Sequence, residues 1–215
     1  IHHEKGNAPC CYSTDKTLVY CGNSETASVF DKKINTALPG NHNILNLMFA
    51  ISACKIAGIT DQHIAEGITT FQALAHRLQY AGCFQQIDFY NDSIATIPEA
   101  TIAAVKAIPR VDTLLLGGFD RGLAYEKLIE FLLQSEVRNF IFLGEAGRRM
   151  KALMTSRAPE RAGYYEASSL EDAMVHAKKM TAPGKACLLS PAAASYDMFK
   201  NFEERGLLFM KLAAE

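Results

Sequence analysis

From residue 84 onward the chain alternates short apolar runs with amphipathic stretches. The runs at 86–90, 113–116, 140–143, 163–166 and 186–189 have strand length. Between them, apolar residues recur at helical spacing near 98–108, 125–134, 146–156 and 169–180, and a last helix is predicted over 199–213. Ser168 followed by Glu171 reads as a capping box at the start of one helix. Strict alternation of strand and helix predicts an α/β fold, a mostly parallel sheet with helices on both faces. The first part reads differently. Residues 17–21 and 27–30 are β-prone pieces among Gly, Asn, Ser and Asp turn formers, and read as the last strands of a domain whose beginning is absent. Helices are predicted over 43–57 and 61–69, with Gly58 as the C′ residue between them.

Ligands on parallel sheets collect at the carboxyl ends of the strands, which selects three loops. Asn91-Asp92-Ser93-Ile94-Ala95-Thr96 brings a carboxylate and two hydroxyls to a helix entrance, where free backbone N–H groups favour anions. Gly117-Gly118-Phe119-Asp120-Arg121-Gly122 turns tightly and offers a guanidinium able to grip a carboxylate through two hydrogen bonds. Ser190-Pro191-Ala192-Ala193-Ala194-Ser195 ends an apolar strand with small residues and hydroxyls. Each loop alone also fits ordinary turn and cap chemistry; their shared sheet edge is what favours a site.

Composition narrows the ligand. A length of 215 residues, 49% of them hydrophobic, leaves room for one or two domains. A net charge of −1 gives no broad attraction to nucleic acid or an anionic membrane, so an anionic ligand needs a local site. Six cysteines without a C-x-x-C pair suggest reduced thiols in a cytoplasm rather than a disulfide framework. His2, His3, Cys10 and Cys11 lack ligand-like spacing, and no metal site is expected in the chain. No apolar run is long enough to span a bilayer, and the start Ile1-His2-His3-Glu4 suggests a chain cut from something longer. Neither the G-x-x-x-x-G-K-[ST] phosphate loop nor a G-x-G-x-x-G turn is present. Glu203 and Glu204, on a helix with Lys200 and Arg205, read as a solvated face, and His63 and His176 as surface residues.

The segments LPGNHNILN (38–46), AHRLQ (75–79), NDSIATIP (91–98), GGFDRG (117–122) and LLSPAAASYDMFKNFEERG (188–206) resemble the Mur ligase family, most specifically its D-glutamate-adding members. The resemblance covers nearly the whole chain. It implies residues 1–78 as the carboxy-terminal part of a central ATP-binding domain, and 79–215 as a Rossmann-like amino-acid-binding domain. The implied reaction joins glutamate to UDP-N-acetylmuramoyl-L-alanine through an acyl phosphate. ATP and Mg²⁺ are the implied cofactors, with the metal ligands upstream of this chain, and a monomer is expected. By the same resemblance Asn43 and Asn46 hold adenine, and amides suit a base edge because they donate and accept together. His76 and Arg77 sit at an interdomain hinge and act in catalysis, the arginine on the nucleotide phosphates. Asp92 serves the ribose side, while Thr96, Arg121, Ser195 and the Phe202 N–H receive the two carboxylates of glutamate. The pattern departs at Ile94 and Arg121, where lysine is usual. An L-glutamate-adding homologue, a folylpolyglutamate- or cyanophycin-type ligase and a non-catalytic nucleotide-binding module remain as alternatives.

Overall fold

A computed structural model describes residues 9–22, 27–31, 40–159 and 163–215, in two compact units, Ile1–Ala73 and Leu74–Glu215. His2 and His3 lie outside the described residues, as does the start of the 38–46 segment. The division falls after Ala73 rather than after Leu78, because His76 and Leu78 are tied by hydrogen bonds to Asn91 and Asp92 in the second unit.

In the first unit, β1 (Cys10–Ser13), β2 (Thr17–Cys21) and β3 (Ser28–Asp31) form an antiparallel sheet in that order. Helices α1 (Asn41–Ile56) and α2 (Asp61–Thr70) accompany it. Thr60 caps α2 by accepting the His63 N–H, and Gly58 takes φ +79° between the helices. Leu18, Tyr20 and Phe30 from the sheet bury against Ile51, Ile64 and Ile68 from the helices.

The second unit is a six-stranded sheet of order β4-β5-β9-β6-β7-β8. Its strands are β4 (Gln79–Phe84), β5 (Ile87–Asn91), β6 (Val111–Gly117), β7 (Asn139–Leu143), β8 (Tyr164–Ala167) and β9 (Ala186–Leu189). All neighbours are parallel except the β4–β5 hairpin at one edge. The crossovers are α3 (Pro98–Ala107), α4 (Glu126–Gln134), α5 (Gly144–Arg157) and α6 (Leu170–Met180), and α7 (Phe202–Ala214) closes the chain. The central strands are buried on both faces, so they read as continuous apolar runs. Leu114, Leu116, Phe140 and Phe142 pack with Leu128, Leu132 and Met150 on one side. Leu115, Ile141 and Leu189 pack with Met174 and Phe209 on the other.

β4 was not predicted, and the α6 cap is displaced by one residue. Ser169, not Ser168, accepts the Asp172 N–H at 3.2 Å, and the Asp172 carboxylate in turn accepts the Ser168 N–H at 2.8 Å. His63 is exposed, but His176 is half-buried and stacks on Tyr165 with 3.5 Å between ring centroids. All six cysteines are free, and burial raises the thiol pKa of Cys187.

Candidate functional site: the carboxyl edge of the six-stranded sheet

Strand β9 lies between β5 and β6, so the chain leaves adjacent strand ends in different directions, the kind of carboxyl edge at which ligands of open α/β sheets bind. The three predicted loops all emerge there. Gly117 ends β6 at φ +108°, where a side chain would run into the Leu143 carbonyl and the backbone of Gly147. The turn continues through Gly118, and the Phe119 N–H donates to the Ala194 carbonyl at 2.9 Å, stitching the β6 loop to the β9 loop.

In the β6 loop, Asp120 is held by the Arg149 guanidinium at 2.6 and 2.8 Å, which keeps its carboxyl below the usual carboxylate range. Arg149 was not anticipated. With Asp120 committed, Arg121 is left as the exposed cation of the loop, and its Nη2 donates to the Thr96 carbonyl at 2.6 Å. Arg121 and Thr96, 25 residues apart, are thereby brought together.

In the β5 loop, Asp92 is 4% exposed, with Oδ1 accepting the Leu78 N–H at 3.1 Å and Oδ2 the Ser190 hydroxyl at 2.8 Å. Burial raises its pKa to about 6 against the pull of those two bonds and of the Arg77 charge. The Ser190 hydroxyl also reaches Thr101 Oγ1, at 3.1 Å, so both first residues after β5 and β9 are locked together. Arg77 is exposed.

His76, at φ +62° and 6% exposed, turns inward. Its Nδ1 lies 2.9 Å from Asn91 Nδ2, which also donates to the Gly206 carbonyl at 3.3 Å. An amide nitrogen can only donate, so Nδ1 accepts and the ring proton sits on Nε2. Burial, opposed by Glu203, lowers the imidazole pKa, which favours the neutral ring. The ring meets Phe202 edge-on, and Gly206 admits it, since a methyl there would overlap the imidazole.

At the start of α7, Asn201 accepts the Glu204 N–H at 2.9 Å and Glu204 accepts the Lys200 N–H at 2.6 Å. The Phe202 N–H has no acceptor among the described residues, as expected at a helix start, and is available to an anion. Ser195, 3% exposed, uses its carbonyl to receive the Met198 and Phe199 amides. Arg205, on the same helix as the acids Glu203 and Glu204 that read as a solvated face, is 2% exposed. Its guanidinium bonds to Ser93, Gly117, Ala193 and Ala194, one cation touching all three loops.

In the first unit, Asn43 is buried on α1 and Asn46 Nδ2 donates to Asn43 Oδ1 at 3.3 Å. Both line a cavity of about 280 Å³ walled by Ile51, Ile59, Ile64 and Ile68. Apolar walls with two amides at one side fit a planar heterocycle with hydrogen-bonding edges. Among the described residues no group of three or more His, Cys, Asp or Glu could hold a metal ion.

Comparison with known proteins adds the relationship. No family model matches the chain. Over 95% of its length the chain is 31% identical to the UDP-N-acetylmuramoylalanine–D-glutamate ligase of Thermoanaerobacter sp. (strain X514), of which it covers 44%. It is 38% identical, over 91% of its length, to the ligase of the same name from Streptococcus agalactiae serotype III (strain NEM316), covering 41% of that protein. The chain belongs to the Mur ligase family. It spans under half the length of these Mur ligases. The Mycobacterium tuberculosis folylpolyglutamate synthase complexed with ADP shares the fold, with TM-score 0.67 and 14% identity over 93% of this chain and 45% of that one.

Proposed function

We propose that the chain supplies the end of the ATP-binding domain and the amino-acid-binding domain of a cytoplasmic, monomeric ligase that joins glutamate to UDP-N-acetylmuramoyl-L-alanine. The reading is supported by the names of the relatives and by one observation above all. Three loops, from β5, β6 and β9, are cross-tied at the sheet's carboxyl edge, with Arg121 bonded to the Thr96 carbonyl. Such an edge, lined by a cation, hydroxyls and a helix N-terminus, suits a small dicarboxylate.

Thr96, Arg121, Ser195 and the Phe202 N–H take the glutamate carboxylates and orient its amine. Asn43 and Asn46 receive the adenine edge in the α1–α2 cavity. Asp92 serves the ribose side and Arg77 the phosphates, while His76 sets the geometry of the loop from which Arg77 projects. ATP, when bound with Mg²⁺, supplies the phosphoryl group that activates the acceptor carboxylate, with the metal held by residues outside those described. Ser195 acts as a hydrogen-bonding group, since among the described residues no imidazole bonds its hydroxyl to activate it.

The test is phosphate release by the full-length protein, with ATP, UDP-N-acetylmuramoyl-L-alanine and either D- or L-glutamate. Release with one glutamate enantiomer supports the reading and decides the stereochemistry that Ile94 and Arg121 leave open. Release only with a folate acceptor, or with none, contradicts it.

A further inference from the structure

Arg205 is a buried charge with no carboxylate bonded to it among the described residues. It stands in the first turns of α7, and all its bonds go to neutral oxygens. Nε donates to Ser93 Oγ at 3.0 Å, and Nη2 to the carbonyls of Ser93 and Ala193 at 2.8 and 3.1 Å. Nη1 donates to the carbonyls of Ala194 and Gly117 at 3.3 and 3.5 Å. Among the described residues no carboxylate lies within 4.0 Å of it; Asp197 is the acid whose field reaches it. Burying a cation on carbonyl dipoles alone is costly, and removing a charge from water is repaid when an opposite charge joins it. A neutral amide, with two N–H donors, would meet only some of these oxygens but would do so without that cost. The charge therefore points to an anion arriving at this edge.

We infer that Arg205 is a positioning residue for the carboxylates of the amino-acid substrate. It fixes the loops after β5, β6 and β9 at the spacing a dicarboxylate needs and lays a positive potential beneath them, without touching the substrate itself. This rests on the glutamate reading of the same edge. It also accounts for how the site tolerates Ile94: a fixed buried charge and the exposed Arg121 share the compensation of a dianion.

The experiment uses the full-length protein and glutamate-dependent phosphate release. Arg205→Lys keeps the charge but loses the planar fork that spans three loops. It should raise KM for glutamate about ten-fold while kcat stays within about three-fold and KM for ATP within about two-fold. Arg205→Met keeps the length and removes the charge, and should cut the preference for glutamate over glutamine by about ten-fold or more. Equal changes in KM for ATP and glutamate in Arg205→Lys, or no change in either, would overturn the inference. So would an undiminished glutamate preference in Arg205→Met. If melting shows Arg205→Met unfolded, the Arg205→Lys pattern decides alone. A silent wild-type protein would mark failure of the glutamate reading instead, so the two failures are distinguishable.

Discussion

Asp92→Asn isolates the energetic consequence of burying a carboxylate at the mouth of the sheet. The carboxyl is 4% exposed and its pKa moves from 3.8 to about 6, with burial as the largest cause. A shift of roughly two units at about 1.4 kcal/mol each corresponds to about 3 kcal/mol of differential stability. The sign follows from proton binding. Between pH 3.8 and about 6 the folded chain holds the Asp92 proton more tightly than the unfolded chain does. Stability from this group is thus fully present below pH 3.8, falls as pH rises through the window and is lost above about 6. Asparagine keeps the shape without the charge. Its oxygen can accept from Leu78, and its nitrogen can donate to Ser190 Oγ, whose hydroxyl still has Thr101 Oγ1 as acceptor. Urea unfolding of the 215-residue chain, followed by far-UV circular dichroism from pH 4 to 8, measures the difference. The variant should gain about 2–3 kcal/mol on wild type as pH rises from 4 to 7. A difference independent of pH, or an Asp92 carbon resonance titrating below pH 4, would refute the burial argument.

Arg121→Ala in the full-length enzyme should cost about ten- to a hundred-fold in kcat/KM for glutamate, the worth of a charge-assisted bond of roughly 1.5–3 kcal/mol, with KM for ATP little changed. Arg121→Lys should recover part of the loss, and intact glutamate kinetics in Arg121→Ala would remove it from the pocket. Ser195→Ala should raise KM for glutamate, and a trapped acyl-enzyme on wild-type Ser195 would overturn its role as a hydrogen-bonding group. Gly206→Ala drives a methyl into the His76 ring and the Asn91 amide, so denaturation should show a loss of about 1–3 kcal/mol; unchanged stability would mean that the contact relaxes freely.

The parallel sheet was legible because β6, β7 and β9 are buried on both faces and appear as uninterrupted apolar runs. The β4–β5 hairpin was not. Its two-residue turn is Gln85-Gln86, both at positive φ, where Asn or Gly would normally announce it, and β4 is irregular between Tyr80 and Gly82. The loops were readable from glycine and hydroxyl content after apolar strands, but not what occupies each group. Asp120 is taken by Arg149 and Asp92 by Leu78 and Ser190, and none of these bonds has a local sequence signature. Arg205 did not stand out in the sequence for a related reason. On a helix flanked by Glu203, Glu204 and Lys200 it looks solvated, yet its acceptors come from loops 11 to 112 residues away in sequence.

The central claim is that the loops after β5, β6 and β9 form a dicarboxylate site. A crystal structure of the full-length protein with glutamate, an ATP analogue and UDP-N-acetylmuramoyl-L-alanine tests it most directly. The account predicts the two carboxylates of glutamate against Thr96, Arg121, Ser195 and the Phe202 N–H, with Arg205 beneath them and out of contact. Glutamate bound elsewhere, out of contact with these four groups, would contradict it.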